Sequence, residues 1–430
     1  MNEFIALFVF FIVYALLITE RVNRAVVAIL GATILMFAKV FHDPFTAYIE
    51  YIDYNTIFLL IGMMLFVNTV KRSGIFQFLG MVALKLSGGH VRTLFLTLTF
   101  MVAFLSAILD NVTTILVILP MTFAICDTVA LDPIPFVLGE IFASNIGGTM
   151  TLVGDPPNIM IGSAAGLTFM DFLRNTAPIA LFNLIIVDLL LILFFKRDFS
   201  IKVDPEFMKQ VDVKKAIVNM WSFKISALLL ALVIVLFTFQ HAMGVENSVI
   251  ALFVGFLAAF ILDHGNVKEL LREVEWETIL FFIGLFIVVG GLEEVGLLER
   301  TAEFFLKLSG HSYRASAMII LNFSGIFSAF VDNIPYTATM IPVIESFKRL
   351  NPSVFHNLEP LWWCLSLGAC LGGNGTAVGA SANVVGLALF HDYYRHRRIS
   401  FLSFLKIGIL VLSVSLLFSS LYVLLRYDIM

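Results

Sequence analysis

The stretch "SAILDNVTTILVILP", Ser106 to Pro120, sets the fold problem, because Asp110 is the only charged residue between Arg92 and Asp127. A charge at the centre of a bilayer costs a few kcal/mol on insertion scales. The chain repeats the pattern at "SAFVDNIPYTATMIP", Ser328 to Pro342. Two carboxylates in two oily runs call for a common explanation.

The surrounding composition sets the class. The 430 residues are 60% hydrophobic and 13% charged, and the mean hydropathy is +0.98. Soluble domains run near a quarter charged. Apolar blocks near 4–18, 23–41, 54–70, 136–165, 176–195, 223–240, 247–262, 277–292, 361–390 and 401–425 approach the roughly 20 residues that a membrane helix needs. The first block follows an acidic start without a basic region or a small-residue cleavage site, and reads as a retained helix. The three cysteines imply no disulfide framework. The histidines have no metal-ligand spacing, and no basic face offers a site for nucleic acid.

Two further runs, about 93–126 and 315–347, carry the Asp-Asn pairs at their centres. Each is too long for one straight crossing and gives only short legs as two. A re-entrant helical hairpin fits, since non-helical backbone at membrane depth is tolerated where protein or water surrounds it. The alternative is a pair of short spanning helices with Asp-Asn in a surface turn.

An internal repeat ties the two runs together. "NTIFLLIGMMLFV" (Asn55–Val67) echoes "ETILFFIGLFIVV" (Glu277–Val289), and "LKLSG" at Leu84–Gly88 returns at Leu306–Gly310. With the Asp-Asn runs, these matches all share one constant offset. "GGTMTLVGDPPN" (Gly147–Asn158) matches "GGNGTAVGASAN" (Gly372–Asn383) at a slightly longer one. Five crossings separate equivalent points, or seven if the hairpin spans. The odd number turns the second copy upside down, as in many secondary transporters. The expected fold is an all-α polytopic membrane protein of two inverted repeats, with about ten transmembrane helices, two re-entrant hairpins and two broken helices. Residues 1–195 form the first repeat, 196–222 a cytoplasmic linker and 223–430 the second repeat. The distribution of lysine and arginine, seventeen in loops on one side against eight on the other, predicts both termini outside the cell membrane.

The chemistry-bearing residues cluster where helices should stop. Asp110, Asn111, Thr113 and Thr114 stand at the first hairpin tip, and Asp332, Asn333, Thr337 and Thr339 at the second. Carboxylate, amide and hydroxyl oxygens suit a hard cation, which marks Asp110, Asn111, Asp332 and Asn333 as a candidate Na⁺ position; a buried carboxylate can instead carry a proton. The bland reading of each pair is a helix cap. Pro156, Pro157 and Gly154 should break the span at 136–165 near Gly147–Asn158, and its partner should break near Gly372–Asn383. Broken helices expose N–H and carbonyl groups for ions. Thr151 and Asn158 correspond there to Thr376 and Asn383, while Asp155 aligns with Ala380, beside which Ser381 supplies a hydroxyl, so the two breaks differ chemically. Glu140 and Asp188 lie in apolar spans and could equally be structural. An intramembrane aspartyl protease, which needs two aspartates from neighbouring helices, is disfavoured by the Pro-Pro and by the repeat.

"SAILDNVTT", "NIGGTMTLVGDPPN", "VEWETILFFIGLF", "VDNIPYTATMIPV" and "GACLGGNGTAVGASANVVG" resemble signatures of the ion transporter superfamily. The likeness is to the branch with a citrate transporter-like domain that holds the melanosomal P protein, ArsB-type arsenite permeases and NhaD-type sodium/proton antiporters. It covers nearly the whole chain. The resemblance implies a scaffold domain and a mobile transport domain working as an elevator, a homodimer, and no cofactor beyond a coupling ion, H⁺ or Na⁺. It adds Asn145 and Asn374 to the site. The expected activity is transport, not catalysis, of a small inorganic oxyanion or its neutral acid, arsenite-like. A Na⁺/H⁺ antiporter and an anion channel are the alternatives. The Asp-Asn tips disfavour a dianionic substrate by like-charge repulsion.

Overall fold

The computed structural model describes residues 1–19, 22–200, 217–263 and 267–428, and among them every regular element is helical. Most of the expected linker, 201–216, lies outside the described residues. In hydrocarbon a backbone must satisfy its own polar groups, which leaves the helix as the open choice for an apolar chain of this kind. Among the described residues six helices, including Tyr54–Lys71, Ala177–Phe194, Trp276–Glu294 and Phe401–Arg426, are long and apolar enough to cross a membrane. Shorter apolar helices include Arg24–Phe37 and Asn247–Leu262.

The repeat is structural as well as verbal. Val91–Ser106 and Asn111–Thr128 form the first hairpin; Tyr313–Ser328 and Asn333–Leu350 form the second, and all four boundaries recur at the offset of the sequence repeat. The first broken span is Ile134–Gly148 followed by Pro156–Ala165, and the second is Glu359–Gly372 followed by Ser381–Tyr393. Proline or serine opens each second half, where the missing or unpaired N–H of the first turn costs nothing.

Two short helices escape the span-by-span reading. Ile75–Leu86 and Leu297–Leu308 precede the hairpins and are related by the same offset. Leu297–Leu308 places Leu298, Ala302, Phe305 and Leu306 inward and Glu299, Arg300 and Lys307 on other faces, so its mean apolarity is low. That amphipathic pattern suits a membrane surface more than its core. Gly74 and Gly296 stand before these helices at φ 82° and 73°, a backbone region that a Cβ disfavours.

Packing pairs the halves crosswise. Arg24–Phe37 lies along Trp276–Glu294, and Asn247–Leu262 lies along Tyr54–Lys71. Glycine sets both contacts: Gly62 meets the Ala251–Leu252 backbone, and a Cβ on Gly284 would lie 2.5 Å from the Ala28 carbonyl carbon. Small residues let membrane helices approach this closely, and dispersion then supplies the attraction that hydrophobicity cannot. A second group gathers the hairpins and broken spans. Each hairpin's first arm packs on the first half of its own broken span, and its second arm on the second half of the other repeat's broken span. The site sits at that interlock.

Candidate functional site: two hairpin tips on one carboxylate

Both tips reach the protein interior, as re-entrant hairpins require. Asn111 and Asn333 are buried, and both donate side-chain N–H to Asp155: Asn111 Nδ2 lies 3.3 Å from Oδ1, and Asn333 Nδ2 lies 3.3 and 3.2 Å from Oδ1 and Oδ2. Asp155 is 1% exposed and precedes the second half of the first broken span. Because Ala380 occupies the equivalent place, one carboxylate serves the tips of both repeats.

The tip aspartates behave differently from each other. Asp110 caps its helix, accepting from Thr113 N at 2.8 Å. Asp332 caps its own through Ile334 N at 3.1 Å, and its other oxygen meets Arg24 Nη1 at 2.8 Å. Arg24 Nη1 also reaches Ser381 Oγ at 2.9 Å. The expected capping and the expected polar site therefore coexist in the same residues. Arg24 enters the sequence reading only as one of the seventeen lysines and arginines counted on one side, which misses this pairing; its position at the start of an apolar span was the available signal.

A cavity of about 730 Å³ opens onto the junction. Asp110, Asn111, Asp155, Asn333 and Ser381 line it, with Arg24, Arg272, Glu275 and Glu277 and a wall that includes Met63, Leu116 and Val385. Four carboxylates against two guanidiniums make it acidic. A second cavity of about 310 Å³ is lined by Glu50, Asp53, Met160, Phe286, Glu293, Ala338 and Glu345. The two are related by the repeat: Glu275 and Asp53, Met64 and Phe286, and Leu116 and Ala338 are equivalent positions in the two copies.

Other expected site residues hold the breaks together. Asn158 Nδ2 donates to the carbonyls of Gly148, Thr149 and Thr151, at 3.2, 3.4 and 2.9 Å. Asn383 Nδ2 does the same for Gly373 and Thr376, at 2.7 and 2.8 Å. These are the carbonyls that an unwound segment leaves without helical partners. Thr151 donates to the Ala107 carbonyl and Thr376 to the Ala329 carbonyl, tying each break to its own hairpin. Across the repeats, Asn145 Nδ2 donates to Asn374 Oδ1 and Asn383 Oδ1, at 2.9 and 2.8 Å. Ser366 and Cys370 make the mirror contact to Asn158 Oδ1. Thr114 donates to the Asp110 carbonyl at 2.7 Å. Thr339 lies 2.6 Å from the Tyr14 hydroxyl, whereas Thr337 Oγ1 and Asn374 Nδ2 are buried without a partner.

Glu140 and Asp188 stand apart from this junction. Thr122 donates to Glu140 at 2.7 Å and Thr99 to Asp188 at 2.8 Å, so both carboxyls brace the first hairpin from its two sides. The break asparagines make a direct prediction. Asn383→Ala leaves two buried carbonyls and the Asn145 amide short of partners, a loss of about 2–4 kcal/mol. Thermal unfolding in detergent should show a clearly lowered midpoint; an unchanged one contradicts the bracing role.

Interlocked hairpins, paired broken helices and a buried carboxylate at their meeting point define a helical membrane transporter. The family model for the citrate transporter family, CitMHS, matches residues 14–368, and the chain belongs to that family, within the ion transporter superfamily. It is 37% identical to a 46 kDa membrane protein of Mycobacterium leprae, over 99% of both chains. It is 38% identical to an uncharacterised transporter of Mycobacterium tuberculosis, over 98% of both. The human P protein is 32% identical over 94% of this chain, which spans 57% of that longer relative. The fold resembles the Alcanivorax borkumensis YdaH transporter, described as having an unusual topology, with a TM-score of 0.59 at 15% identity over 89% of this chain and 88% of that one.

Proposed function

We propose that the protein is an elevator-type secondary active transporter that couples a small inorganic solute to H⁺ or Na⁺. The observation that carries this reading is the convergence of both hairpin-tip asparagines on Asp155 beside a cavity. A carboxylate held by two amides from opposite repeats senses both tips, so an ion arriving there changes the contacts of both halves at once. In the ion-free arrangement the amides donate N–H to the carboxylate. With Na⁺ bound, each amide turns over and presents oxygen; with a proton bound, the carboxyl donates to an amide oxygen. Asp110, and Asp332 when released from Arg24, complete the oxygen-rich surroundings.

The acidic cavity limits the cargo. A multiply charged anion would face Asp110, Asp155, Glu275 and Glu277, so the reading favours an uncharged acid of the As(OH)₃ or Sb(OH)₃ type, exported from the cell. The same excess of carboxylates favours a second reading, a Na⁺/H⁺ antiporter in which Asp155 exchanges one cation for the other. The mirror-related cavities support alternating access. The pairs Arg24–Phe37 with Trp276–Glu294 and Asn247–Leu262 with Tyr54–Lys71 would form the scaffold, and the hairpins with the broken spans the moving part. The reading places residues 1–195 and 223–430 as the two repeats joined by the segment 196–222, in a homodimer of the plasma membrane with both termini outside. The larger cavity, lined by Arg272, then faces the cytoplasm.

Protein in liposomes separates these readings. Arsenite or antimonite flux that accelerates under an imposed pH or Na⁺ gradient is the expected result. Proton movement driven by Na⁺ without added cargo selects the antiporter. Anion current independent of any cation gradient overturns both.

A further inference from the structure

Besides Asp155 against Ala380, the repeats differ where the first two helices meet the second hairpin. Arg24 Nη1 binds Asp332 Oδ2 at 2.8 Å and Ser381 Oγ at 2.9 Å, and Ser381 Oγ lies 3.3 Å from the same carboxylate oxygen. One helix earlier, the Tyr14 hydroxyl donates to the Pro335 carbonyl at 2.5 Å and lies 2.6 Å from Thr339 Oγ1. Four polar partners on the hairpin and its neighbouring broken span are thus gripped from the helices Asn2–Thr19 and Arg24–Phe37.

The mirror position holds no such grip. Gly284 packs on Ala28 and Gly62 on Ala251, which makes Ala28 and Ala251 equivalent. Four residues before each stand Arg24 and Asn247. Asn247 is 4% exposed and its Oδ1 has no partner. A charge on one side stands where an amide stands on the other.

We infer that Arg24 and Tyr14 form a one-sided latch on the second hairpin, which favours the conformation whose larger cavity exposes Asp155. The inference rests on the alternating-access reading given above. Apolar helix faces can slide past one another with little change in energy, because each contact is replaced by a similar one. A half-buried ion pair and a buried hydroxyl cannot, since sliding strands their polar atoms. Moving the second hairpin along the first two helices therefore requires opening the latch. In the mirrored conformation Asp110 would meet Asn247 instead of an arginine. The two end states consequently differ in energy although the repeat makes their backbones alike, and Arg24 sets the sign of that difference.

The test uses the full chain in membrane vesicles, with a single reporter cysteine at Leu116 or at Ala338. These repeat-equivalent positions line the larger and smaller cavities respectively. The native cysteines, Cys126, Cys364 and Cys370, are buried. A membrane-impermeant maleimide, applied from either side, should label L116C faster than A338C when the latch is intact. Arg24→Asn should raise the A338C rate about fivefold or more and lower that of L116C, within the usual range of coupling between sites. Tyr14→Phe should do the same more weakly. Asn247→Arg, which supplies the mirrored state with a latch against Asp110, should also raise A338C labelling, even if Arg24→Asn proves poorly folded. Rates unmoved by both Arg24→Asn and Asn247→Arg overturn the latch. Both reporters labelling faster together would show a loosened structure and overturn it too. Wild-type reporter rates that ignore imposed Na⁺, pH and arsenite gradients contradict the transport cycle itself, which separates failure of that reading from failure of the latch.

Discussion

Asp155→Asn is expected to abolish coupled transport while leaving the protein folded. The substitution keeps the shape of the side chain and removes its charge. Asn111 and Asn333 then lose the carboxylate they share at 3.2–3.3 Å, and neither a proton nor Na⁺ finds a counter-charge at the junction. Hydrogen bonds to a charged group are worth about 1.5–3 kcal/mol each, two are weakened here, and each 1.4 kcal/mol is tenfold, so gradient-driven flux should fall by about 100-fold or more. The measurement is cargo flux in liposomes at matched protein incorporation, beside elution of the variant as a monodisperse species. A near-normal rate would move the ion site elsewhere, with Asp110 or Asp332 next to be tested as asparagine variants.

The second large effect falls on assembly. Gly62→Val should prevent the scaffold helices from closing. A Cβ on Gly62 runs into the Ala251 backbone, and no rotamer change relieves a clash with backbone. Forcing Tyr54–Lys71 away from Asn247–Leu262 also disturbs Gly255, which packs on the Gly62 carbonyl. Overpacking typically costs about 1–3 kcal/mol, and the separated helices also lose dispersion contacts along their length. Loss of monodisperse protein on extraction in detergent is the expected result. Leu193→Ala, at a side chain that is 70% exposed toward lipid, should leave the elution profile unchanged.

Much of this architecture was legible in the amino-acid sequence because membranes restrict the choices. A carboxylate in each of two oily runs, prolines in a third and a fixed offset between copies leave few structures that satisfy every backbone group. The hairpins and breaks follow from those residues, and Asp155, unmatched by Ala380, already stood out as the asymmetric member. The residues that bind were harder to separate from those that brace. Asn111 and Asn158 look alike in the motifs, yet one amide reaches a carboxylate across elements and the other caps its own unwound backbone. Spacing cannot tell which way an amide points. Arg24 was hidden for another reason: its partner is 308 residues away, and its place at the start of an apolar span was the one local sign. Ile75–Leu86 and Leu297–Leu308 fell below a span-length reading, although their common offset was present in the repeat.

The sharing of one carboxylate by two inverted halves also explains why the cavity walls are mirrored but the chemistry at their meeting point is not. A second aspartate at the other break would add another carboxylate to an already acidic junction, and like charges repel when ionised. A single Asp155 with an amide from each side avoids that conflict and keeps both tips on one carboxylate.

The most direct measurement is the dissipation of an imposed pH or Na⁺ gradient across liposomes, read with an internal dye, for the wild-type protein and Asp155→Asn side by side. Cargo- or counter-ion-dependent collapse of the gradient in the wild-type protein, and none in the variant, is the predicted result. Equal collapse in both, or an anion current that proceeds with no gradient change, would contradict the account.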